Sequence, residues 1–139
     1  LAERLAEARR HGEQGVLVYL DLNGLKRIND VFGHAAGDEA IRLVAEGLRK
    51  CLRASDSVGR LGGDEFAIVL PRCPAGAGLS KAARMAQAIG RLALMVDGQR
   101  IPLSASVGMA AFTGAETAEA LMAEADTAMY REKKVSKRA

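Results

Sequence analysis

The chain has 139 residues, of which 49% are hydrophobic and 27% charged, and its net charge is +3 at pH 7. This length predicts one domain with a hydrophobic core, and no apolar run approaches the roughly 20 residues that span a membrane. Trp is absent and only 4% of the residues are aromatic, which removes the stacking platform of single-stranded nucleic-acid binders. We therefore expect neither nucleic-acid binding nor membrane contact by this domain.

The two cysteines and the amino end both favour a cytoplasmic domain. Cys51 and Cys73 lack the spacing of a metal site, and two cysteines do not make a disulfide framework, so they are interpreted as reduced thiols. The amino end shows no charged segment followed by an apolar one, as a signal peptide would.

Hydrophobic periodicity assigns the first half of the chain mainly to helices. The spacing predicts the end of a helix over residues 1–10, a short helix over 23–33 and a long one from 38 to about 53. A continuous apolar run predicts a strand over 16–22 that is covered on both faces. Asp21 stands near the end of this run, where an unpaired carboxylate is costly, so it is interpreted as a metal ligand or a helix cap.

Two polar residues near the start of the long helix need separate interpretation. Asp38 stands where an N-cap is expected, so capping competes with any binding role for its carboxylate. His34 is interpreted as a packed or capping residue rather than a ligand.

The second half of the chain combines strands with two further helices. Strands over 57–61 and 65–70 flank a glycine pair and predict a hairpin. The remaining predicted elements are a loop over 71–78, a helix over about 79–96, a turn at Asp97-Gly98, a strand pair over 99–103 and 104–111, and a helix from 117 to about 133.

The glycine pair is the most informative turn signal in the chain. Gly62 and Gly63 can adopt the positive φ of a two-residue hairpin turn, and they lack the Cβ atoms that would hold a ligand away from the backbone. Asp64 and Glu65 leave the turn side by side, and strand alternation predicts that they point to opposite faces. An ordinary solvated hairpin turn is the alternative interpretation.

The order β-α-α-β-β-α-β-β-α predicts an α+β sandwich with a central, mostly antiparallel sheet flanked by helices. In such a sheet the first strand and the glycine hairpin can be neighbours, which brings Asp21 and Asp64 to one edge. Two carboxylates at one site repel unless a cation lies between them, and Mg²⁺ is commonly held by carboxylates and substrate phosphates. Because Lys26, Lys133 and Lys137 could neutralise a polyphosphate, the residues predict a metal-dependent nucleotide site.

One five-residue run matches a known signature. Gly62-Gly63-Asp64-Glu65-Phe66 is identical to the motif of the GGDEF domains, the diguanylate cyclase family, which the chain resembles over nearly its whole length. Further matching segments are Asp21-Leu22-Asn23, Lys26, Ile28-Asn29-Asp30, Phe32-Gly33-His34, Gly37-Asp38-Glu39, Ser106-Val107-Gly108, Ala125-Asp126 and Met129-Tyr130. The resemblance implies a nucleotidyl-cyclase, ferredoxin-like sandwich and a single GGDEF domain over residues 1–139.

The resemblance also implies a reaction. Two GTP molecules would be joined into cyclic di-GMP, with release of two pyrophosphates, where two copies of the domain face each other. Two Mg²⁺ or Mn²⁺ ions per active site would be held by Asp21, Asp64 and the Leu22 carbonyl. Glu65 matches a second acid that the family needs for turnover, and it completes the implied catalytic set with Asp64 and Lys26.

The residues that the resemblance assigns to GTP divide into three groups. Asn29 and Asp38 would bind the guanine edge, because a carboxylate that accepts from N1 and N2 rejects adenine. Gly62 and Gly63 would let the nucleotide approach the backbone. The phosphates would be held by Lys26, Lys133, Lys137 and the backbone of Gly24 and Leu25.

A second short motif lies just upstream of the glycine pair. Arg53-Ala54-Ser55-Asp56 resembles the RxxD inhibitory site of the family. Arg can bind a phosphate or the guanine Hoogsteen edge, and Asp can accept from guanine N1 and N2. The resemblance therefore implies product inhibition by cyclic di-GMP through Arg53 and Asp56, and a capping or linker salt bridge is the alternative.

The chain departs from the family pattern in three places. Asn23 stands where Asp is usual, and Ser136-Lys137-Arg138 replaces the usual Gly-Arg-Asn. The family's leading segment does not precede Leu1, so the chain is expected to be a piece of a longer signalling protein, which could be membrane-anchored. The alternative function is a non-catalytic regulatory module that binds GTP or cyclic di-GMP.

Overall fold

Helices alternate with antiparallel strands along the chain. The structure, a computed structural model, describes the backbone of residues 2–138 and the side chains of residues 3–8 and 10–133. The elements are α1 (Ala2–Arg10), β1 (Gly15–Leu22), α2 (Leu25–Phe32), α3 (His34–Lys50), β2 (Ser57–Gly62), β3 (Glu65–Pro71), α4 (Ala75–Gly90), β4 (Ala93–Val96), β5 (Gln99–Pro102), β6 (Ala105–Phe112) and α5 (Ala118–Arg138). Within the described residues, no helix is both long and apolar enough to cross a membrane.

The central sheet has four strands in the order β2-β3-β1-β6, and every pairing in it is antiparallel. β1 pairs with both β3 and β6, and all eight of its residues are buried. The predicted α+β sandwich with an antiparallel sheet is confirmed, as is the strand that is covered on both faces.

Side-chain alternation along β1 divides the core into two layers. Val16, Val18 and Leu20 pack on one face against α2, α3 and α4. Leu17 and Tyr19 pack on the other face against α1 and α5. Asp21 continues the second series, so its side chain faces α5.

The prediction for residues 79–96 is wrong at both ends. α4 begins at Ala75, directly after Pro74, and ends at Gly90, while residues 93–96 form the unpredicted strand β4. β4 pairs with β5 around Asp97 and Gly98, whose φ values of 49° and 80° are those of a tight hairpin turn. The predicted pairing of 99–103 with 104–111 is therefore also wrong, because β6 joins β1 instead.

The start of α3 also differs from the prediction. Gly33, with φ of 94°, ends α2 and begins α3 at His34, so the chain passes from one helix to the next without a side-chain cap. Asp38 is the fifth residue of this helix and is exposed, which excludes the N-cap interpretation. His34 is exposed as well, so its predicted packed role is wrong.

α5 lies directly on the backbone of β6. A Cβ atom at Gly108 would lie 2.5 Å from the Ala125 carbonyl oxygen and closer still to the Met129 nitrogen. Only glycine permits this approach, and it fixes the height of α5 over the sheet. Lys133 is one helical turn beyond Met129, so the same contact sets the position of Lys133 relative to β1.

Gly108→Ala is expected to destabilise the domain by about 3 kcal/mol or more, because the new methyl group meets helix backbone that cannot rotate away. Urea unfolding followed by circular dichroism measures this change. Gly76→Ala is the matched control: its Cβ would meet no other element within 4 Å among the described residues, so its stability should be unchanged or slightly raised. Equal stability of the two variants would contradict the seating of α5 on Gly108.

Candidate active site

The Asp21 carboxylate is buried at the end of the central strand. Asp21 lies opposite Glu65 on β3 and Ser106 on β6, and the residue is only 4% exposed. The backbone N–H of Leu22 donates to the Asp64 carbonyl, with 2.8 Å between nitrogen and oxygen. The predicted neighbourhood of the first strand and the glycine hairpin is confirmed, so Asp21 and Asp64 meet at one sheet edge.

The two oxygens of Asp21 have different surroundings. Lys133 Nζ donates to Oδ2, whereas Oδ1 is buried and has no hydrogen-bond partner among the described residues. Burial raises the pKa of Asp21 and the adjacent Asp64 raises it further, against the lowering effect of Lys133. A buried acceptor without a donor calls for a specific explanation, and a bound cation would supply one.

Glu65 and an acid from α5 extend the negative charge. An open pocket of about 420 Å³ is lined by Asp21, Glu65, Asp126, Thr127, Met129, Tyr130 and Lys133. Burial, followed by the charges of Asp21 and Asp64, raises the pKa of Glu65. Asp64 does not line this pocket, in keeping with the alternation predicted for the two acids.

The donor set suits a hard cation that is completed by its substrate. Among the described side chains, no three His, Cys, Asp or Glu residues form a ready metal cluster. The available protein ligands are the Asp21 and Asp64 carboxylates with nearby backbone carbonyls. Mg²⁺ is commonly bound in this way, by one or two carboxylates plus substrate phosphates and water.

The geometry of the glycine turn corrects one prediction. Gly62 pairs with Glu65, so the two loop residues are Gly63 and Asp64, and neither glycine has a positive φ. Arg60, which sequence reasoning missed, donates from Nε to the Gly62 oxygen at 3.1 Å and from Nη2 to the Gly63 oxygen at 2.8 Å. The arginine therefore holds the turn. Apart from the adjoining residues, no atom in the described part of the chain lies within 4 Å of a Cβ placed at either glycine, which leaves room for a ligand.

The start of α2 follows β1 immediately. Gly24, with φ of 74°, is the N-cap, and Leu25 begins the helix with Lys26 exposed in its first turn. Unpaired backbone N–H groups at a helix start are suited to bind phosphate. Two further predicted phosphate ligands come from α5. Lys133 is hydrogen-bonded to Asp21, and the side chain of Lys137 is outside the described part of the structure.

Asn29 is positioned by close contact between α2 and α3. A Cβ at Gly37 would lie 2.8 Å from Asn29 Cγ and closer still to its Oδ1. The missing side chain of Gly37 therefore provides the space for the Asn29 amide. Asp38 follows Gly37 directly, so the two predicted guanine-binding residues lie at the same helix contact.

Asn23, which replaces the usual acid, is held by β6 and the residues before it. Its Nδ2 donates to Ser104 Oγ and its Oδ1 accepts from Ser106 Oγ, both at 3.2 Å. An aspartate could not donate the first of these bonds. The amide at Asn23 therefore has a structural role in this chain.

Arg53 and Asp56 lie together but far from the other predicted residues. Asp56 immediately precedes β2, and the six residues of β2 place it roughly 20 Å from the glycine turn. Arg53 Nη2 lies 3.0 Å from Asp56 Oδ1, so the salt bridge of the alternative interpretation is present. A ligand-binding role for the pair remains a prediction.

Comparison with known proteins gives consistent results. The sequence model of the family described as diguanylate cyclase, GGDEF domain, matches residues 1–139. The diguanylate cyclase DgcP of Pseudomonas aeruginosa is 40% identical over 141 residues, covering 99% of this chain and 21% of that protein. This chain thus spans about a fifth of the length of that relative.

Solved structures share the fold. The diguanylate cyclase SiaD of Pseudomonas aeruginosa, solved in complex with its activator SiaC, has a TM-score of 0.90 and 32% identity, over 96% of this chain and 53% of that one. The GGDEF domain of DgcB from Caulobacter crescentus, solved in complex with c-di-GMP, has a TM-score of 0.88 and 28% identity, over 96% and 80% of the two chains.

Asp21→Asn is expected to raise the free energy of unfolding in metal-free buffer, because burial and Asp64 both disfavour the charged form of Asp21. The substitution removes a buried charge that is repelled by Asp64, while the amide oxygen can still accept from Lys133. Thermal unfolding in the presence of EDTA measures the effect, with Asp30→Asn on the exposed face of α2 as the control. A clear loss of stability in Asp21→Asn alone would show that the carboxylate is already well compensated without a cation.

Proposed function

The chain belongs to the GGDEF family of diguanylate cyclase domains, and from this premise we propose that it condenses two GTP molecules into cyclic di-GMP with release of pyrophosphate. The substrate and product are proposals because the chain covers only part of the relatives it matches. The supporting observation is that the buried Asp21, one oxygen of which has no hydrogen-bond partner among the described residues, lies beside Asp64 and an open glycine turn.

In the proposed site, two divalent cations, Mg²⁺ or Mn²⁺, would lie at Asp21, Asp64 and the Leu22 carbonyl. When bound they would supply the charge that activates a ribose 3′-hydroxyl and stabilises the triphosphate. The chain provides the acceptors for this charge, and Lys133 can leave Asp21 to bind phosphate once the carboxylate has another partner.

The remaining assignments follow the position of each group. Lys26 and the backbone of Gly24 and Leu25 are proposed to bind phosphate at the start of α2. Gly62 and Gly63 are proposed to admit the nucleotide, because none of the described residues beyond their chain neighbours comes within 4 Å of a Cβ placed at either position. Glu65 stands in the acidic pocket with a raised pKa, which suits an acid that takes part in turnover.

Guanine selection is assigned to Asn29 and Asp38. Because Asp38 caps no helix and is exposed beside the Asn29 amide, its carboxylate is available to the guanine N1 and N2 donors. Adenine lacks this pair of donors, so a carboxylate here would discriminate against ATP.

The proposal also covers assembly, location and regulation. In the proposed reaction a single copy holds one GTP, so a second copy must face it to complete the two phosphodiester bonds. The GTP is proposed to come from the cytoplasm. Arg53 and Asp56 are proposed to bind the product and so limit synthesis. The c-di-GMP complex of the related DgcB domain supports binding of this dinucleotide by the family.

The direct test is synthesis by a forced dimer. The chain fused to a parallel coiled coil is expected to convert GTP to cyclic di-GMP with Mg²⁺, and Asp64→Asn is expected to lower the rate by about 10²-fold or more through loss of cation binding. Chromatography of the nucleotides measures both results.

The control for this test is Asp97→Asn, which makes the same chemical change at an exposed hairpin turn and should keep the parental rate. Nucleotide binding without synthesis in the forced dimer would favour the non-catalytic regulatory module instead. Undiminished synthesis by Asp64→Asn would reject the assignment of Asp64.

Asp38→Ala is expected to weaken GTP binding by about tenfold or more while the thermal midpoint stays near that of the parent. It should also reduce the preference for GTP over ITP, since inosine lacks the N2 donor. Calorimetric titration of both nucleotides measures this, and Glu46→Ala, an exposed acid on the same helix, is the control. An unchanged GTP-to-ITP ratio would show that Asp38 does not contact the base.

A further inference from the structure

The turn before β2 contains a carboxylate that is fully enclosed. The Asp56 side chain has 0% exposure, whereas Arg53, three residues earlier, is 50% exposed. The Asp56 N–H donates to the Arg53 carbonyl at 3.0 Å and closes the turn. Any ligand that uses this pair meets the arginine at the surface but not the acid.

The acceptor capacity of Asp56 is already filled. Its Oδ2 accepts from the Arg53 backbone N–H at 2.8 Å and from Lys81 Nζ at 2.7 Å. Its Oδ1 accepts from Arg53 Nη2 at 3.0 Å and Nε at 3.3 Å. A carboxylate offers about four acceptor positions, so these four donors leave no position for a guanine N–H.

Lys81 differs from the other donors because it comes from another element. It lies on α4, 25 residues from Asp56, and its side chain is only 14% exposed. Burial tends to raise the pKa of Asp56, but the hydrogen bonds from Arg53 and Lys81 outweigh it and hold the pKa below its ordinary value. The acid is therefore a stable anion whose charge is compensated within the chain.

Arg53 is held on its other side as well. Its Nη2 also donates to the Pro71 carbonyl at 2.9 Å, at the end of β3. The turn is thus tied to β3 through Arg53 and to α4 through Lys81. Of these two ties, the Lys81 bond is the one that must break to free an oxygen of Asp56 without dismantling the turn itself.

We propose that Lys81 is a positioning residue that competes with ligand for Asp56 and thereby sets the affinity of the Arg53–Asp56 site for cyclic di-GMP. The inference rests on the product-binding role given to this site under the proposed function. Binding requires the Lys81–Asp56 bond to open, so the apparent affinity equals the intrinsic affinity reduced by the fraction of molecules in which it is open. Lys81 therefore lowers product inhibition.

Lys81→Met tests this competition, since it keeps the length of the side chain and removes the ammonium group. Calorimetric titration with cyclic di-GMP is expected to show a dissociation constant lowered by about five- to tenfold. The titration is run at 0.3 M salt, where the Debye length is roughly 6 Å. At this salt concentration the general electrostatic effect of losing one positive charge is largely screened. In the forced dimer, the product concentration for half-inhibition should fall by a similar factor.

Two controls separate the proposed effect from others. Arg91→Met removes a positive charge at the exposed end of α4 and should leave the affinity unchanged. Lys81→Arg keeps a cation at Asp56 and should also retain parental affinity. If Lys81→Met does not fold at 25 °C, Lys81→Gln, which keeps a neutral donor, carries the test with a smaller expected gain.

The outcomes distinguish this inference from the proposed function. Unchanged or weaker binding by Lys81→Met would overturn the inference, and weaker binding would make Lys81 a phosphate ligand. Absence of cyclic di-GMP binding by both the parent and Lys81→Met would overturn the inference too, because Asp56 is released in the variant and should then be able to bind the ligand. Cyclic di-GMP synthesis is measured separately, so a tighter-binding variant of an inactive domain would support the inference while the proposed function fails.

Discussion

The arrangement of the site depends on the buried carboxylate of Asp21. Asp21 is enclosed between β3, β6 and α5, where an uncompensated charge costs several kcal/mol. Lys133 compensates one oxygen, and the other has no partner within the part of the chain that the structure describes. The fold therefore keeps a local deficit of positive charge at the end of its central strand, and a bound cation can remove this deficit. Retaining such a deficit is common where binding matters more than stability.

This site exists only when the sheet and α5 are docked. Asp21 comes from β1, Asp64 from the turn before β3, and Lys133 from a helix more than a hundred residues later in the chain. Gly108 allows α5 to rest on β6 at backbone contact, which brings the lysine down to the carboxylate. A shift of α5 relative to the sheet would therefore change the electrostatics at Asp21 before it displaced any residue proposed to bind the cation.

The two ends of β2 carry aspartates in opposite states. Asp64, at the turn end, lies beside Asp21, one oxygen of which has no partner among the described residues, and directly follows two glycines with open space around them. Asp56, at the other end, has every acceptor position occupied by Arg53 and Lys81. An aspartate is thus available to bind a ligand at one end of β2, and an aspartate is neutralised by groups of the same chain at the other end. The number of donors that tertiary contacts deliver to each carboxylate makes this difference.

The sequence was sufficient to predict the fold class, the central strand and the proximity of Asp21 to Asp64, whereas the strand register places Asp21 opposite Glu65. Continuous apolarity and hairpin spacing are local signals, and the glycine motif carried the family resemblance. Only the tertiary structure shows that residues 93–96 form a strand, which pairs with β5. It also shows that Asp38 is not an N-cap, because a positive φ at Gly33 joins α2 to α3 in a way that composition does not reveal. It also delivered Lys133 and Lys81 to their partners. Such long-range contacts depend on how helices seat on the sheet, which no short stretch of sequence encodes.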